Sequence, residues 1–298
     1  MSSVNLRTEL SLLAFLALLW GSSYLFIKVA VAEIPPVTLI ALRVLGAAIF
    51  LLLVMGARSE KLPRDLHTWR MLLVQSVFNS IGAWTVLAWG QQYVESGLAS
   101  VLNSTSPIFV FLITALVTRH EALGGRKLAG AALGVLGVAL IVGVDVLRGL
   151  GDQVAGQVAC LAGAALYAGA AIYGKRFNHI SAVATAAGTM IWASVVLVPL
   201  ALVLDRPWTI APSPTAMAAT AILSILCTGV ALLIYFRLVR TLGSMGVASQ
   251  SYLRAGIGVL LGVFLLGETF TLPVAAALCA AIAGVALINW PAKKKAAS

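Results

Sequence analysis

The chain has 298 residues, 61% of them hydrophobic and 10% charged, with a mean hydropathy of +1.02 and a formal charge of +10. A soluble domain carries roughly 25% charged residues, so an aqueous core-and-surface fold is excluded and an integral membrane protein remains. The basic residues are scattered between apolar runs and form no patch with interleaved aromatics, which sets nucleic acid aside and leaves the lipid bilayer and a small-molecule substrate as the expected partners.

A bilayer core about 30 Å thick needs about 20 residues of helix, and ten runs of that kind follow one another. The first, near 9–32, contains Ala30-Val31-Ala32, which mimics a cleavage site. It is far longer than a signal h-region of roughly 7–15 residues and is read as a retained span. Pro35-Pro36 opens the second, 36–57; then come 69–92, 96–118 and, after Gly124-Gly125, 125–145. Past Gly149 to Asp152 lie 154–176 and 180–204, and past "DRPWTIAPSP" (205–214) lie 214–238, 244–266 and 271–290. Unpaired backbone polar groups are not tolerated in lipid, so each run is expected to be helical.

Pro107 and Pro199 sit inside the fourth and seventh runs and offer bending points. Gly130-xxx-Gly134 with Gly137, and Gly258-xxx-Gly262, allow close backbone approach, either between spans or at a dimer face on the fifth and tenth. Monomer and homodimer both stay open. Cys160, Cys227 and Cys279 each lie alone in an apolar run, which reads as packing; no disulfide, metal site or cofactor is implied.

Lysine and arginine set the orientation. With the N-terminus inside, fifteen of the twenty fall in cytoplasmic segments, only Arg148 and Arg206 fall in outer loops, and Lys28, Arg43 and Arg254 lie within spans. Both termini are therefore expected in the cytoplasm, with the chain multi-pass in an inner (plasma) membrane.

A repeat underlies this layout. "GVALI" occurs at 137–141 and 284–288, and the same offset of 147 relates Lys28 to Lys175, Thr38 to Thr185, Glu121 to Glu268 and Trp20 to Tyr167. Each half, 1–147 and 148–298, holds five spans. An odd number makes the second half enter from the opposite face, so the expected fold is an all-α membrane protein of ten transmembrane helices in two inverted five-helix repeats. Such repeats build secondary transporters with the substrate site between the halves.

The stretch "ALLWGSSYLFIKVAVAEIPPVTLIALRVLGAAIFLL" resembles the opening of EamA-type proteins of the drug/metabolite transporter superfamily, through Trp20-Gly21-Ser22, Lys28, Pro35-Pro36 and the alanine-leucine-arginine step at Arg43. "SGLASVLNSTSPIFVFLITALVTRHE" resembles that family's fourth span, with Pro107 and Glu121. "LGSMGVASQSYLRAGIGVLLGVFLLGE" resembles its ninth, with Ala255 where the family usually has proline. The resemblance spans nearly the whole chain. It implies ten helices around a central cavity and transport of small metabolites, commonly amino-acid export, by alternating access.

Arg43 is the eighth residue of its span, about 10 Å below the outer edge at ~1.5 Å per residue. It is either a cationic anchor for a substrate carboxylate or a structural brace, and its place in a family-wide signature favours the brace. Arg254 is close to the midplane of the ninth span, too deep to snorkel easily, and no acidic residue lies at comparable depth. An unpaired midplane cation asks for an external anion, a carboxylate or phosphate, with a hydrogen-bonded structural arginine as the rival. Trp20 and Tyr24 on the first span, Asn79 and Trp84 on the third, Asn103 on the fourth, Tyr167 on the sixth, and Gln250 and Tyr252 on the ninth complete a candidate substrate site, with Trp20 and Tyr252 as preferred stacking walls. Lys28, Lys175, Glu121 and Glu268 lie at span ends and are candidates for gates or helix-end anchors.

Three rivals are weighed. A multidrug exporter of cationic or lipophilic compounds is disfavoured by interior arginines, since like charges repel strongly at low dielectric. A membrane enzyme needs an intramembrane acid pair, metal cluster or activated nucleophile, which the sequence does not offer; a scaffold leaves the inverted repeat unexplained. With His67, His120 and His179 in inner loops and no deep carboxylate, facilitated diffusion or exchange is expected rather than proton symport through a buried acid.

Overall fold

A computed structural model describes residues 6–117, 125–147, 151–177, 179–235, 237–238, 241 and 250–289. The described residues are helical with short connections: α1 (Leu6–Val31), α2 (Pro36–Ala57), α3 (Leu66–Gly90), α4 (Ser96–Leu116), α5 (Gly125–Leu147), α6 (Gly151–Phe177), α7 (Ala182–Leu204), α8 (Pro214–Tyr235), α9 (Gln250–Leu266) and α10 (Leu272–Asn289). Seven of these (α1–α4 and α6–α8) are long and apolar enough to cross a bilayer, while α5, α9 and α10 carry shorter apolar stretches, Leu128–Gly137, Leu253–Leu266 and Leu272–Gly284. Large apolar side chains such as Phe264, Val203 and Leu53 are exposed on the outside of the bundle. In water that surface would be unstable, and in lipid it is the expected face.

Local chemistry explains where the helices begin and end. Pro36 and Pro214 occupy first-turn positions of α2 and α8, where a missing N–H costs nothing. The side chains of Asp65, Ser181 and Ser213 accept from Thr68 N, Ala184 N and Ala216 N, closing the first turns of α3, α7 and α8. Gly267 follows α9 at φ +67°, a conformation only glycine adopts without strain.

Three helices depart from regular winding. In α4 a turn at Ser104-Thr105 precedes Pro107, which sits in the first turn of the continuing helix, so this proline does interrupt its span. Pro199 does not, since α7 runs unbroken through it; α9 also runs unbroken past Ala255. Wide π-helical turns occupy Val77–Ala83 in α3 and Ile225–Val230 in α8. Their starts are 148 residues apart, close to the repeat offset, and both matter to the site.

Packing is pairwise and extensive. α10 lies along α5, α7 along α2, and α9 along α1 and α4; α8 packs on α1 and α2, and α6 and α7 pack on α3, with α6 also on α4. The main core sits between α1, α2, α3, α7 and α8 around the fully buried Ile27, Leu39, Ile40, Leu51, Met190 and Leu223.

The small residues of the fifth and tenth spans are spent within this chain. A Cβ on Gly284 would lie 2.5 Å from the Gly130 carbonyl oxygen, and one on Gly137 would lie 2.7 Å from the Ala280 Cβ. The opposing atom at Gly284 is backbone, which cannot swing aside. Gly284→Ala is therefore expected to destabilise the protein by about 1–3 kcal/mol, the usual cost of overpacking, as a lower melting temperature in detergent; an unchanged melt would contradict this packing.

Candidate functional site: a guanidinium, phenol and indole cluster

Arg43 lies on the inner face of α2 and is 4% exposed. Its Nε donates to Thr228 Oγ1 at 2.9 Å, and its guanidinium carbon sits 3.9 Å from the Trp84 ring centroid. Its backbone carbonyl accepts from Ser224 Oγ at 2.9 Å. Both π-turns deliver these partners. Thr228 lies inside the α8 turn, where its hydroxyl reaches the Leu223 carbonyl five residues back at 2.8 Å and so presents its lone pairs to Arg43. Trp84 is the first residue after the α3 turn. Such turns insert a residue and rotate the following face, and they recur at functional sites.

Other groups converge on the same place. The Tyr167 hydroxyl on α6 faces the Trp84 indole N–H as an acceptor and lies within electrostatic reach of Arg43, Arg254 and Tyr24. Tyr24 Oη accepts from Asn103 Nδ2 at 2.6 Å, tying α1 to α4. Among the described residues, the Oδ1 of Asn103 and the Nε of Arg254 are buried and have no hydrogen-bond partner, Arg43 has only its Nε bond, and neither arginine forms an ion pair. A fork of two guanidinium nitrogens beside two phenols and an indole N–H, with no carboxylate, suits an anion.

The structure divides the remaining candidates. Trp20, one turn before Tyr24, packs its ring against Tyr235 at 5.4 Å, within the apolar group around Leu16 and Leu238. Trp84 and Tyr167 flank Arg43. Asn79 donates to Ser80 Oγ at 3.2 Å within the α3 π-turn, and Gln250 is buried at the start of α9. The Tyr252 side chain and all of Glu121 lie outside the described residues. Ser224 and Thr228, which hold Arg43, were not among the sequence candidates; their spacing of four on one helix face was the available signal.

The helix-end candidates have definite partners. Lys28 Nζ donates to the carbonyls of Gln91 and Val94 at 2.8 and 2.7 Å, completing the C-terminal end of α3. Glu268 accepts from the backbone N–H groups of Ser96 and Gly97 at 2.6 and 2.9 Å, holding the N-terminal end of α4. Lys175 is exposed.

Glu268 is one of four carboxylates that bridge at the same end of the bundle. Asp205 accepts from Thr38 N and Oγ1, Glu33 from Ser213 N and Oγ, and Glu95 from Thr269 Oγ1. Each joins a loop to a helix start more than 160 residues away in sequence. At the opposite end Glu60 accepts from Ser181 Oγ and Glu9 from Arg237 and Thr241.

The Ser213 backbone N–H and then its hydroxyl hold the Glu33 carboxyl below the ordinary glutamate range. A lowered folded-state value means that this bridge contributes fully above the ordinary pKa of about 4.3 and is lost as pH falls through the lower folded value. Acid titration of the melting temperature is expected to show a smaller fall below that pH in Glu33→Gln than in wild type; parallel curves would contradict the assignment.

Comparison with known proteins decides the family. The EamA-like transporter family matches residues 8–143 and again residues 154–290. The chain belongs to the EamA-like transporter family. It is similar to the inner membrane transporter YedA of Escherichia coli, at 29% identity over 258 residues, 86% of this chain and 82% of that protein. It is also similar to the transporter YvbV of Bacillus subtilis, at 28% over 300 residues, 98% and 94% of the two chains. A transporter of Archaeoglobus fulgidus is 30% identical over 258 residues, 84% and 86%. A solved crystal structure at 19% identity superposes with a TM-score of 0.65 over 95% of this chain and 97% of the other, which shows a common fold. This EamA-like protein is thus a multi-pass helical membrane protein of a small-molecule transporter family.

Proposed function

We propose that this protein is an inner-membrane secondary transporter that exports small carboxylate-bearing solutes, amino acids above all, by alternating access, and that it is not an enzyme. Its ten helices form two inverted repeats, 1–147 and 148–298, around the central cluster. The packing supports that arrangement. Adding five to a helix number exchanges the α1–α9 contact with α6–α4, α1–α8 with α6–α3, and α2–α8 with α7–α3, while α2–α7, α5–α10 and α4–α9 map onto themselves. The two family matches and the paired π-turns of α3 and α8 point the same way. The charge distribution puts both termini in the cytoplasm, so the four carboxylate bridges tie the outer end and must part when the cavity opens outward.

The observation that carries the substrate assignment is the Arg43 guanidinium, buried at 4% exposure and bonded only through its Nε among the described residues, with Tyr167 within electrostatic reach of both Arg43 and Arg254. A cationic drug would meet two guanidinium groups and no counter-charge, a repulsion of about 4 kcal/mol per pair at 4 Å and an effective dielectric of 20. The test is flux from proteoliposomes loaded with a panel of amino acids, organic anions and cationic dyes, run beside Arg254→Gln. Carboxylate solutes are expected to leave, and faster than from the Arg254→Gln vesicles; movement of cations alone would overturn the proposal.

A further inference from the structure

The hydrogen-bonding inventory of the central cluster narrows the substrate further than one carboxylate, although the inference rests on the carboxylate reading above. The groups that face one another there are overwhelmingly donors. Among the described residues the terminal nitrogens of Arg43 make no hydrogen bond, and the Arg254 Nε is a buried donor without a partner. Tyr24 already accepts from Asn103 through its oxygen, so its own proton is available to a ligand. Beside Tyr24, Asn103 Oδ1 is a buried acceptor without a partner among the described residues, on a residue 1% exposed. A ligand matched to this set brings many acceptor lone pairs and at most one donor group.

Charge gives the same answer. Arg254 sits where α9 meets α1, its carbonyl oxygen 3.0 Å from where a Cβ on Gly21 would lie, one turn from Tyr24. Both guanidinium groups lie within electrostatic reach of the Tyr167 hydroxyl, with no acidic side chain among the described neighbours acting on that hydroxyl or on Arg43. A monocarboxylate neutralises one of them and leaves the other unpaired in a low-dielectric interior, which is the costly state. Trp84 has one face covered by Arg43 at 3.9 Å, and a second cation on the same ring would meet that charge.

The geometry points to a solute with two carboxylates, one held by the Arg43 fork and the other by Arg254, with Asn103 Oδ1 positioned to accept from an amino group where the solute has one. The class is dicarboxylic acids and acidic amino acids. Neutral amino acids with apolar side chains are poor substrates.

The test uses the full-length protein in proteoliposomes, with labelled L-glutamate counterflow competed by unlabelled succinate, L-glutamate and L-leucine. Succinate and L-glutamate are expected to compete at concentrations at least about tenfold lower than L-leucine, the scale of one charge-assisted pair. In Arg254→Gln that preference is expected to shrink to within about twofold, a loss of the same scale, while Arg254→Lys, which keeps the charge, retains most of it. The wild-type comparison needs no variant, so a misfolded substitution leaves the inference testable. L-leucine competing as well as L-glutamate overturns the two-carboxylate inference and leaves the carboxylate transporter standing. Absence of any carboxylate counterflow, with cationic dyes moving, removes both.

Discussion

Arg43→Lys is expected to slow carboxylate transport by roughly 10- to 100-fold while leaving the chain folded and inserted. Lysine keeps the positive charge but not the planar fork. Two contacts depend on that plane, the Nε bond to Thr228 at 2.9 Å and the stack on Trp84 at 3.9 Å. A hydrogen bond to a charged group contributes about 1.5–3 kcal/mol, and each 1.4 kcal/mol is a factor of ten, which sets the range. Thr228→Val removes the acceptor of the Arg43 Nε bond together with the hydroxyl's own bond to the Leu223 carbonyl. It is expected to cost roughly tenfold, at the low end of the same range, because the guanidinium stays but is free to turn off Trp84. Initial rates from proteoliposomes at matched protein density provide the measurement. A fully active Arg43→Lys would show that transport does not use the fork.

Glu268→Ala is expected to give the largest loss of stability among the helix-end residues. The carboxylate accepts two backbone N–H groups, from Ser96 at 2.6 Å and Gly97 at 2.9 Å. Ser96 and Gly97 are buried, so water does not replace the lost acceptor. Leaving two buried donors unmade costs about 1–3 kcal/mol each, which corresponds to a melting temperature lower by roughly 5–15 °C for a chain of this size. Glu268→Gln keeps one acceptor oxygen and is expected to lose about half as much. Glu95→Ala serves as the contrast, because its hydrogen bonds to Thr269 are longer, 3.2 and 3.5 Å, and exposed. Equal effects at Glu95 and Glu268 would mean that helix capping is not what Glu268 supplies.

Hydropathy made most of the fold legible. Its run at 36–57 coincides with α2, and its run at 69–92 falls within three residues of α3 at either end, because desolvation of a backbone in lipid leaves few alternatives to a helix. The π-turns were not legible. They add a residue to a turn without altering composition, so neither hydropathy nor periodicity registers them, although they bring Trp84 and Thr228 to Arg43. The unbroken passage of α7 through Pro199 was equally hidden, since neighbouring helices decide whether a proline bends its own.

The candidate site was legible by residue type and less so by depth. Trp20 and Tyr24 are four apart and share one face of α1, yet Tyr24 bonds Asn103 while Trp20 packs one turn further along on Tyr235. A helical turn is about 5.4 Å, and sequence position alone does not say which turn meets the polar centre. Arg43 carried two readings from the sequence, brace and anchor. Its geometry shows the brace directly, with Nε and the guanidinium face engaged by Thr228 and Trp84, while the anchor is the part that the transport tests address.

The most direct test of the account is a mixed load in a single set of proteoliposomes, L-glutamate together with a cationic dye, with efflux of both followed at once. L-glutamate is predicted to leave faster than from protein-free vesicles while the dye stays inside. Dye efflux with L-glutamate retained would contradict the assignment of the arginine cluster as an anion site.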